Sequence, residues 1–475
     1  MNAPLQRPNR LLSASLLLLL LGGCAVTPPE RTEHTPDLPD SFSEAGVTEA
    51  PERWWRALED PALDDLMGRA LDGNLSLAAT RARLESARAV ARREGAGLIP
   101  SVEASAGADR QLEDRTEPSE PLGPNTDTNT DTRNFSTGLS ASYEVDLWGR
   151  VRAGKAAAAA DAAAARADLH AAAVSLSGNV ATTWYQRVEA KRRLALLRRQ
   201  VETAEELLAL TEARYRRGQV AIADVHRQRR SLEALRGQVS TAEGQLAALD
   251  HELAVLAGEP PGSVQLPDGD DFPDLGPLPE TGLPAELIRR RPDLQQAFHQ
   301  LVAADAGVAA AVARRFPRLD LTASLTGEAP SASAMVATWL TNLGAQLTLP
   351  LIDGGERRAD VDRARAEAEA AALDYGQAVL EAVAEVEDAL AREAREAELV
   401  DHLAAELEAA RDLLENTRRR YRFGEADHLA VLDAQDGVHG AERSLLEARR
   451  QRLDYRIQLL RALAGGWEMD EEEAA

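Results

Sequence analysis

Apolar residues recur along most of the chain with the spacing of α-helices that pack against each other. Two heptad seams flank Gly218: Leu197, Val201, Ala204, Leu208, Thr211 and Tyr215 precede it, and Val225, Leu232, Val239, Leu246 and Leu253 follow it, with Leu235, Ala242, Leu249 and Leu256 alongside. Apolar residues at every seventh position are typical of coiled coils. A glycine tolerates the positive φ of a tight turn because it has no Cβ. The pattern therefore predicts a coiled-coil hairpin that turns at Gly218.

Four short segments show a different pattern, in which apolar and polar residues alternate strictly. This period of two indicates β-strands with one apolar and one polar face. We predict strands over about residues 99–112, 135–148, 317–327 and 339–351. The stretch from Glu113 to Asn134 is rich in Pro, Asp, Asn and Thr, and it predicts an exposed loop between the first two strands.

The chain contains two copies of one unit. Three pairs of residues establish the spacing: Gly149 with Gly355 and Gly218 with Gly424, each 206 residues apart, and Pro100 with Pro317, 217 residues apart. A change of offset between anchors indicates insertions or deletions in the loops that connect them. The predicted repeats cover residues 54–258 and 292–466, and a linker rich in Pro, Gly and Asp joins them over residues 259–291.

The second repeat should form a hairpin equivalent to the first. The sequence TEARYRRG ends at Gly218, and TRRRYRFG ends at Gly424. The second hairpin is therefore expected to turn at Gly424, with Tyr215 and Tyr421 in equivalent positions beside the two turns. Both tyrosines are expected to pack or hydrogen-bond between neighbouring hairpins. Shared tyrosine and glycine at identical spacing argue against chance similarity between alanine- and arginine-rich helices.

The helices on either side of each turn differ in length. The long helices are predicted over residues 149–217 and 353–423, about 100 Å each at 1.5 Å per residue. Summed lengths suggest that each long helix is matched by two short helices placed end to end. The pairs predicted in this way are 221–257 with 292–315, and 426–466 with 74–98. The linker over residues 259–291 then lies about halfway along the long helices, as an equatorial belt.

The N-terminus has the pattern of an export signal. Arg7 and Arg10 precede an apolar run from Leu11 to Leu21, which is too short to span a bilayer, and Leu-Gly-Gly-Cys24 follows. This sequence resembles a bacterial lipobox, so we expect residues 1–23 to be removed and Cys24 to be lipidated. Residues 24–53 then form a lipid-anchored linker. The alternative is a plain signal peptide with an incidental cysteine.

Composition narrows the functional classes. Without the signal, 52 basic side chains stand against 78 acidic ones, a net charge of −26 that argues against binding to nucleic acid; residues 467–475 form an acidic tail. Cys24 is the sole cysteine, so no disulfide can form within the chain. The eight histidines are scattered, and neither a phosphate-binding loop nor a nucleophile elbow occurs. We expect no enzyme activity, cofactor or metal.

The four strands cannot complete a membrane structure within one chain. An open sheet edge in lipid leaves backbone groups unsatisfied at several kcal/mol each, and known single-chain barrels begin at about eight strands. Strands contributed by other chains must therefore close the sheet, which requires an oligomer. Lipid-facing strands attached to long helices are typical of a conduit that extends from the membrane.

From about Trp54 to Trp467 the chain resembles the outer-membrane factors of tripartite (RND-type) efflux pumps, the TolC-like family, in its OprM/NodT-like lipoprotein branch. The motifs that carry the resemblance are Trp54-Trp55, Asp60-Pro61-x-Leu63, Asn74-x-Ser76-Leu77, Asp146-Leu147-Trp148-Gly149-Arg150, Arg291-Pro292-Asp293-Leu294, Pro350-Leu351-Ile352-Asp353-Gly354-Gly355, Tyr421-Arg422-x-Gly424 and Val431-Leu432-Asp433-Ala434-Gln435. Each motif is weak alone, but their order and spacing together are specific.

The resemblance implies a mainly helical fold with a transmembrane β part. Three chains would form a homotrimer with a 12-stranded β-barrel above a coiled-coil α-barrel. The resemblance also implies a lipid-anchored outer-membrane channel that passively conducts substrates, a periplasmic adaptor and an inner-membrane RND-type pump as partners, and a role in multidrug efflux. In the family pattern Asp433 matches an acidic ring at the pore gate and Leu429 an apolar constriction. Ala430 replaces a second acidic position, which puts a double acidic ring in doubt.

Other interpretations remain open at this stage. The chain could be the exit duct of an ABC-type (type I) protein secretion system, or a non-porous structural lipoprotein of the periplasm. The alternating strands argue against the last of these. For Asp433 the alternative to a gate is an ordinary exposed carboxylate on a coiled coil.

Overall fold

The structure is a computed structural model. It describes residues 36–44, 46, 53–116, 127–263, 265–267, 269, 271–331, 333–334 and 339–463. The predicted signal peptide (1–23), the lipidation site Cys24 and the acidic tail (467–475) lie outside the described residues.

The element order repeats once along the chain. After a short 3-10 helix (Trp54–Leu58) come α1 (Pro61–Gly73), α2 (Leu75–Ala96), β1 (Ser101–Thr116), β2 (Asp127–Val145), α3 (Arg150–Arg216) and α4 (Ile222–Leu256). The second series is α5 (Pro284–Arg290), α6 (Pro292–Ala313), β3 (Arg318–Ala329), β4 (Leu340–Thr348), α7 (Glu356–Phe423) and α8 (His428–Leu463). The predicted fold class, mainly helical with four strands in a duplicated chain, is confirmed.

The four strands form one antiparallel sheet in the order β1-β2-β3-β4. Opposite residues of antiparallel strands share a face. Val102 is opposite Ala141, Ala141 is opposite Ala323, and Ala323 is opposite Leu343, so the apolar sides of all four strands coincide. The other face carries mainly hydroxyl, amide and carboxylate side chains, as the alternating pattern predicts.

The strand ends differ from the prediction in the first hairpin. Residues 113–116 and 127–134 were expected in an exposed loop, but they belong to β1 and β2, with Arg115 opposite Thr128. Hydropathy alternation predicts only strand segments with one buried face, whereas the backbone ladder continues beyond them regardless of side chain. In the second hairpin β4 ends at Thr348, before the predicted 351, and Pro350 follows without an N–H to donate.

The two long helices begin at a strand-to-helix corner. α3 has 67 residues and α7 has 68, which corresponds to about 100 Å each. At the start of α3 the Asp146 carboxylate accepts hydrogen bonds from the backbone N–H groups of Val151 and Arg152, each at 3.0 Å. These contacts satisfy helix-terminal N–H groups that have no partner within the helix. Gly149 has φ +78°, which lets the chain turn there.

The predicted coiled-coil seams form the cores of both hairpins. In the first hairpin the buried residues Leu194, Leu197 and Ala204 of α3 pack with Leu232, Leu235 and Ala242 of α4. In the second, the buried residues Leu407 and Leu414 of α7 pack with Val431, Ala434, Val438, Ala441 and Leu445 of α8. None of the helices in the described part of the chain combines the length and apolar character needed to cross a bilayer.

The short helices meet in a different combination from the one predicted. The Asn74 side-chain amide, at the start of α2, donates to the Leu256 carbonyl at the end of α4 (2.9 Å). At the equivalent place in the second repeat, the Arg291 guanidinium donates to the Ala462 carbonyl at the end of α8 (3.3 Å). Thus α4 meets α2 and α8 meets α6. Because α2 and α6 each have 22 residues, helix lengths could not distinguish the two pairings.

The chain forms two compact units that cut across the repeats. One unit contains the sheet and the adjoining helix ends, within residues 85–163 and 298–374, and its buried core includes Val308, Ala311, Val361 and Ala364. The other unit contains the described residues within 36–84, 164–297 and 375–463. Its largest core surrounds Trp54, Trp184 and Tyr185, where the Asp60 carboxylate accepts a hydrogen bond from Trp184 Nε1 (2.8 Å) and caps α1.

Candidate functional site

The apolar face of the sheet is exposed in the single chain. Exposed large apolar side chains on it are Val102, Leu112, Leu139, Leu321, Leu343 and Leu347. A soluble monomer rarely exposes a contiguous apolar patch of this extent. The face therefore requires lipid or another apolar surface against it.

The polar face ends in charged groups next to the helices. The Arg150 guanidinium donates to both carboxylate oxygens of Glu144, at 2.8 and 2.6 Å, and Arg318 pairs with Asp320 at 2.8 Å. A cavity of about 510 Å³ lies at this end, and its lining includes Glu144, Arg150, Arg314 and Asp320. The mixed charges provide a hydrated surface, with no clear preference for either sign of ion.

Both outer strands of the sheet have an open edge. β1 pairs with β2 alone and β4 with β3 alone among the strands that the structure describes. Each open edge presents backbone N–H and C=O groups that need partners wherever water is excluded.

The hairpin turns occupy the predicted glycines. Gly218 lies between α3 and α4 with φ +73°, and Gly424 lies between α7 and α8 with φ +79°. Both turns close in the same way: the N–H of the glycine bonds to the tyrosine carbonyl three residues earlier, at 2.8 Å for Gly218 and 3.1 Å for Gly424. Glycine is favoured at such a helix end because the left-handed conformation is strained for other residues.

Tyr421 connects the two hairpins within one chain. Its ring lies under the Arg214 guanidinium of α3, with 4.6 Å between Cζ and the ring centroid. On the other side it contacts the His428 ring, with 5.8 Å between the centroids. The Tyr421 hydroxyl is buried and has no hydrogen-bond partner among the described residues. Tyr215, its equivalent in the first hairpin, is 44% exposed.

His428 is buried at the same place, with only 4% of its surface exposed. Neither ring nitrogen has a hydrogen-bond partner among the described residues. Burial lowers the pKa of His428, and the positive charges of Arg227 and Arg214 lower it further, while Asp224 and Asp427 oppose the shift. The imidazole is therefore neutral in this packing at neutral pH. Burial also lowers the pKa of His439, three turns further along α8.

The two predicted gate residues lie on one face of α8. Leu429 and Asp433 are both exposed, and they are one turn apart. At about 100° per residue this face is opposite the seam that contains Val431 and Ala434. No hydrogen bond or ion pair joins the Asp433 carboxylate to another described residue. Ala430 is half-buried beside them.

Sequence reasoning missed three residues around the predicted gate residues. Asp436 is exposed one turn beyond Asp433 on the same face, His428 fills the contact with Tyr421, and Arg227 occupies the position equivalent to Asp433 in the first hairpin. The 206-residue offset and the helical period were sufficient to find Asp436 and Arg227. Nothing in the pattern indicated that His428 would be buried. In the part of the chain that is described, no three His, Cys, Asp or Glu side chains are placed to hold a metal ion.

Comparison with known proteins matches the whole duplicated region. The family model of the outer membrane efflux protein family matches residues 66–259 and 283–465. The pyoverdine export outer membrane protein OpmQ of Pseudomonas aeruginosa is 33% identical, and the match covers 96% of this chain and 97% of the relative. The toluene efflux pump outer membrane protein TtgC of Pseudomonas putida is 29% identical over 96% of both chains.

Solved channels share the fold. The outer-membrane channel OprN is 29% identical with a TM-score of 0.81, covering 94% of this chain and 99% of that one. The open state of the Neisseria gonorrhoeae MtrE outer membrane channel is 27% identical with a TM-score of 0.80 at the same coverage. Sequence match, repeat order and sheet geometry agree: the chain belongs to the outer membrane efflux protein family.

Proposed function

We propose that this protein is the exit duct of a tripartite efflux system, which passively conducts substrates from an inner-membrane pump and a periplasmic adaptor to the outside of the cell. The observation that carries the proposal is the four-stranded sheet, with one apolar and one polar face, attached to helices of 67 and 68 residues in a chain of this family. Such a sheet can face lipid on one side and a water-filled lumen on the other.

The open edges of β1 and β4 support a homotrimer. Four strands per chain are too few for a barrel, and three chains supply twelve. The exposed apolar face of the sheet becomes the lipid-facing surface of that barrel. Closure also removes both open edges, which would otherwise leave backbone groups unpaired in lipid.

The exposed face of α8 supports a gate at the hairpin tips. In a trimer, three copies of Asp433 around one axis form a negatively charged ring, with Leu429 as an apolar constriction one turn away. A ring of carboxylates attracts cations and repels anions. Tyr421, held between Arg214 and His428, keeps the second hairpin against the first and so keeps the tip narrow. A periplasmic adaptor that docks at the tips would relax this contact.

The cargo is set by the pump. OpmQ is named for pyoverdine export and TtgC for toluene efflux, so similar ducts serve different substrates. These names favour the export of small molecules over the secretion of proteins. A duct with a hydrated, mixed-charge lumen has no need for a substrate site of its own.

Purified protein should test the proposal directly. Native mass spectrometry in detergent is expected to give three chains, and planar bilayers should show small, cation-selective conductance. Leu347→Arg, on the apolar face, should cost roughly 2–4 kcal/mol in lipid and reduce the amount of assembled trimer. The matched control is Gln346→Arg on the opposite face, which should assemble normally. A stable monomer without conductance would overturn the proposal.

Anchoring depends on Cys24. We infer that Cys24 is acylated and becomes the mature N-terminus, because it follows Leu-Gly-Gly at the end of the apolar run. Ala25, rather than Asp, suits retention in the outer membrane. Mass spectrometry of the mature N-terminus should find a diacylated cysteine with an additional palmitate-type chain and no residues 1–23. An unmodified N-terminus at another residue would refute lipidation and leave the channel proposal intact.

A further inference from the structure

Two cavities lie where the strands of the sheet meet the helices, one in each repeat. The first has a volume of about 510 Å³ and the second a volume of about 390 Å³. The repeat offsets relate their linings, 217 residues up to the first strand of each hairpin and 206 residues from the second strand onward. Ala96 thus corresponds to Ala313, and Ser142 corresponds to Thr348. The duplication therefore produced two equivalent cavities, and their differences show how the two copies diverged.

Three positions that are uncharged in the first cavity carry arginine in the second. The corresponding pairs are Gly97 and Arg314, Ser101 and Arg318, and Val151 and Arg357. In the first cavity two of these positions are in close contact, because a Cβ on Gly97 would lie 3.0 Å from Val151 Cγ1. In the second cavity Arg314 and Arg357 occupy the same two positions and line one space.

The lining charges balance in the first cavity but not in the second. Three arginines and three acidic side chains line the first, whereas four arginines and two acidic side chains line the second. Among the four, Arg150 and Arg318 form ion pairs with acidic side chains, and Asp146 already accepts hydrogen bonds at the start of α3. No hydrogen bond or ion pair joins the Arg314 or Arg357 guanidinium to another described residue. Two positive charges in this cavity therefore remain without a counter-charge.

The Arg357 side chain also has an unsatisfied donor. It is half-buried, and its Nη1 atom is buried without a hydrogen-bond partner among the described residues. A buried charged donor without a partner is costly, because it loses its hydration and gains nothing in return. A water molecule would satisfy the donor but would leave both positive charges in place. An anion would satisfy the donor and neutralise the charge.

We propose that this cavity binds a phosphate group between the guanidinium groups of Arg314 and Arg357. A phosphate group offers several oxygens to two guanidinium groups at once, and arginine donates to such oxygens in pairs. Thr348, which also lines the cavity, contributes a hydroxyl group. The whole lining belongs to one compact unit of one chain. The site goes beyond the proposed duct and does not require the trimer.

A phosphate group at this place has two possible sources. Val145 and Leu147, at the end of the apolar face, line the cavity, so in the proposed barrel it lies at the edge of the lipid-facing band, where phospholipid headgroups are found. Glu144 and Arg318 lie on the polar face and line it as well, so it also borders water that contains free phosphate. Both sources present the same group to the two arginines, and the experiment distinguishes them.

Binding to the purified full-length protein tests the site. Inorganic phosphate is titrated into the detergent-solubilised protein by calorimetry, and dioleoylphosphatidylglycerol is added before native mass spectrometry. We expect saturable binding of at least one probe, with one site per chain. Arg314→Gln/Arg357→Gln should weaken that binding roughly tenfold or more, because it removes charged hydrogen bonds. Raising the salt concentration should weaken binding to the wild type, because dissolved ions screen the attraction.

Two further variants separate the cavity from its surroundings. Arg315→Gln/Arg358→Gln removes the same charge from neighbouring positions that are exposed and do not line the cavity, so it should leave binding unchanged. Arg314→Gly/Arg357→Val gives the second cavity the residues of the first and should abolish binding. If a double variant does not assemble, Arg314→Gln alone, at an exposed side chain, provides the test.

Each result decides a separate claim. Binding of inorganic phosphate that is lost in Arg314→Gln/Arg357→Gln identifies a site for a free anion, and binding of the phospholipid alone identifies a headgroup site. Equal weakening by Arg315→Gln/Arg358→Gln would show general attraction between charges and overturn the site. Equal binding of uncharged dioleoylglycerol, or no binding of either probe, would also overturn it. The number of chains and the conductance of the wild type report separately on the duct.

Discussion

The tips of the two hairpins share a backbone but differ in the side chains at equivalent positions. Tyr421 is half-buried between Arg214 and His428, whereas Tyr215 is 44% exposed. His428 is 4% exposed, and its equivalent, Ile222, is 46% exposed. The packing of tip residues is therefore concentrated on the second hairpin.

The charged side chains at the two tips also differ between the hairpins. Asp433 is exposed and has no ion-pair partner among the described residues, and its equivalent in the first hairpin is Arg227, which pairs with Asp224 on the same helix. Asp224 is in turn equivalent to Ala430. Free carboxylates thus face outward from the second hairpin, whereas at the same level of the first hairpin the charges neutralise each other. This difference is the reason for proposing that the pore is lined by the second hairpin, with the first hairpin in a supporting role.

The largest effect is expected from removing Tyr421. Tyr421→Ala deletes the ring that joins the hairpins, including a cation–π contact of about 0.5–2 kcal/mol, and every 1.4 kcal/mol changes an open-to-closed ratio about tenfold. Single-channel conductance or open probability in planar bilayers should therefore rise clearly. Tyr215→Ala is the matched control and should behave like the wild type. Equal effects of the two substitutions would show that the tips of both hairpins contribute to keeping the channel closed.

Ion selectivity should depend on Asp433 and not on its equivalent. Asp433→Asn removes one charge per chain from the ring and should reduce both cation selectivity and block by trivalent cations, measured as reversal potential and current inhibition. Arg227→Gln, which frees Asp224 in the first hairpin, should change neither quantity. If Asp433→Asn has no effect, Asp433 is an ordinary solvated carboxylate and the gate assignment is wrong.

Lowering the pH should weaken the packing at the tip, because His428 becomes protonated. Its pKa is lowered in the packed tip, so this state binds fewer protons than a state in which the ring is solvated with a pKa of about 6.5. The packing is fully retained above that value and is lost as the pH falls below it. Conductance should therefore rise from pH 8 to pH 5. His428→Leu should flatten this rise, and the remainder should disappear when His439 is replaced as well. A wild-type channel insensitive to pH would contradict this.

The smallest effect is expected at Asp436. It lies one turn from Asp433 on the same exposed face, so Asp436→Asn should reduce cation selectivity less than Asp433→Asn and add to it in the double variant. Arg230→Gln, at the equivalent position in the first hairpin, should have no effect on the reversal potential. A larger effect of Asp436→Asn than of Asp433→Asn would indicate that the narrowest charged ring lies at Asp436, one turn further along α8.

Much of the fold could be predicted because periodicity records which faces are buried. Leu197 to Leu253 revealed the first hairpin, and the alternation around Leu139 and Leu347 revealed the sheet. The ends of β1 and β2 escaped prediction because residues such as Arg115 pair through the backbone, which carries no hydropathy signal. The junction of α4 with α2 escaped because the two candidate helices have equal length.

Within the candidate site, residue types alone predicted the two turns, whereas Leu429 and Asp433 were predicted from the family resemblance. Gly218 and Gly424 marked their turns because positive φ favours glycine. The contact of Tyr421 with Arg214 joins residues more than 200 positions apart, and no local pattern reports such packing. The burial of His428 follows from the same long-range contact. The equivalence of Arg227 and Asp433, by contrast, could be read from the repeat offset alone.

The duplication has an evolutionary consequence. Six identical half-length chains could build the proposed channel as well, but all six tips would then carry the same residue at every level, with sixfold symmetry. Fusing two halves into one gene reduces the symmetry to threefold and lets the halves diverge. One copy could then acquire exposed acids and a buried histidine while the other kept a neutral ion pair. Having both repeats in one chain thus allows the two tips of the proposed channel to differ in charge and in packing.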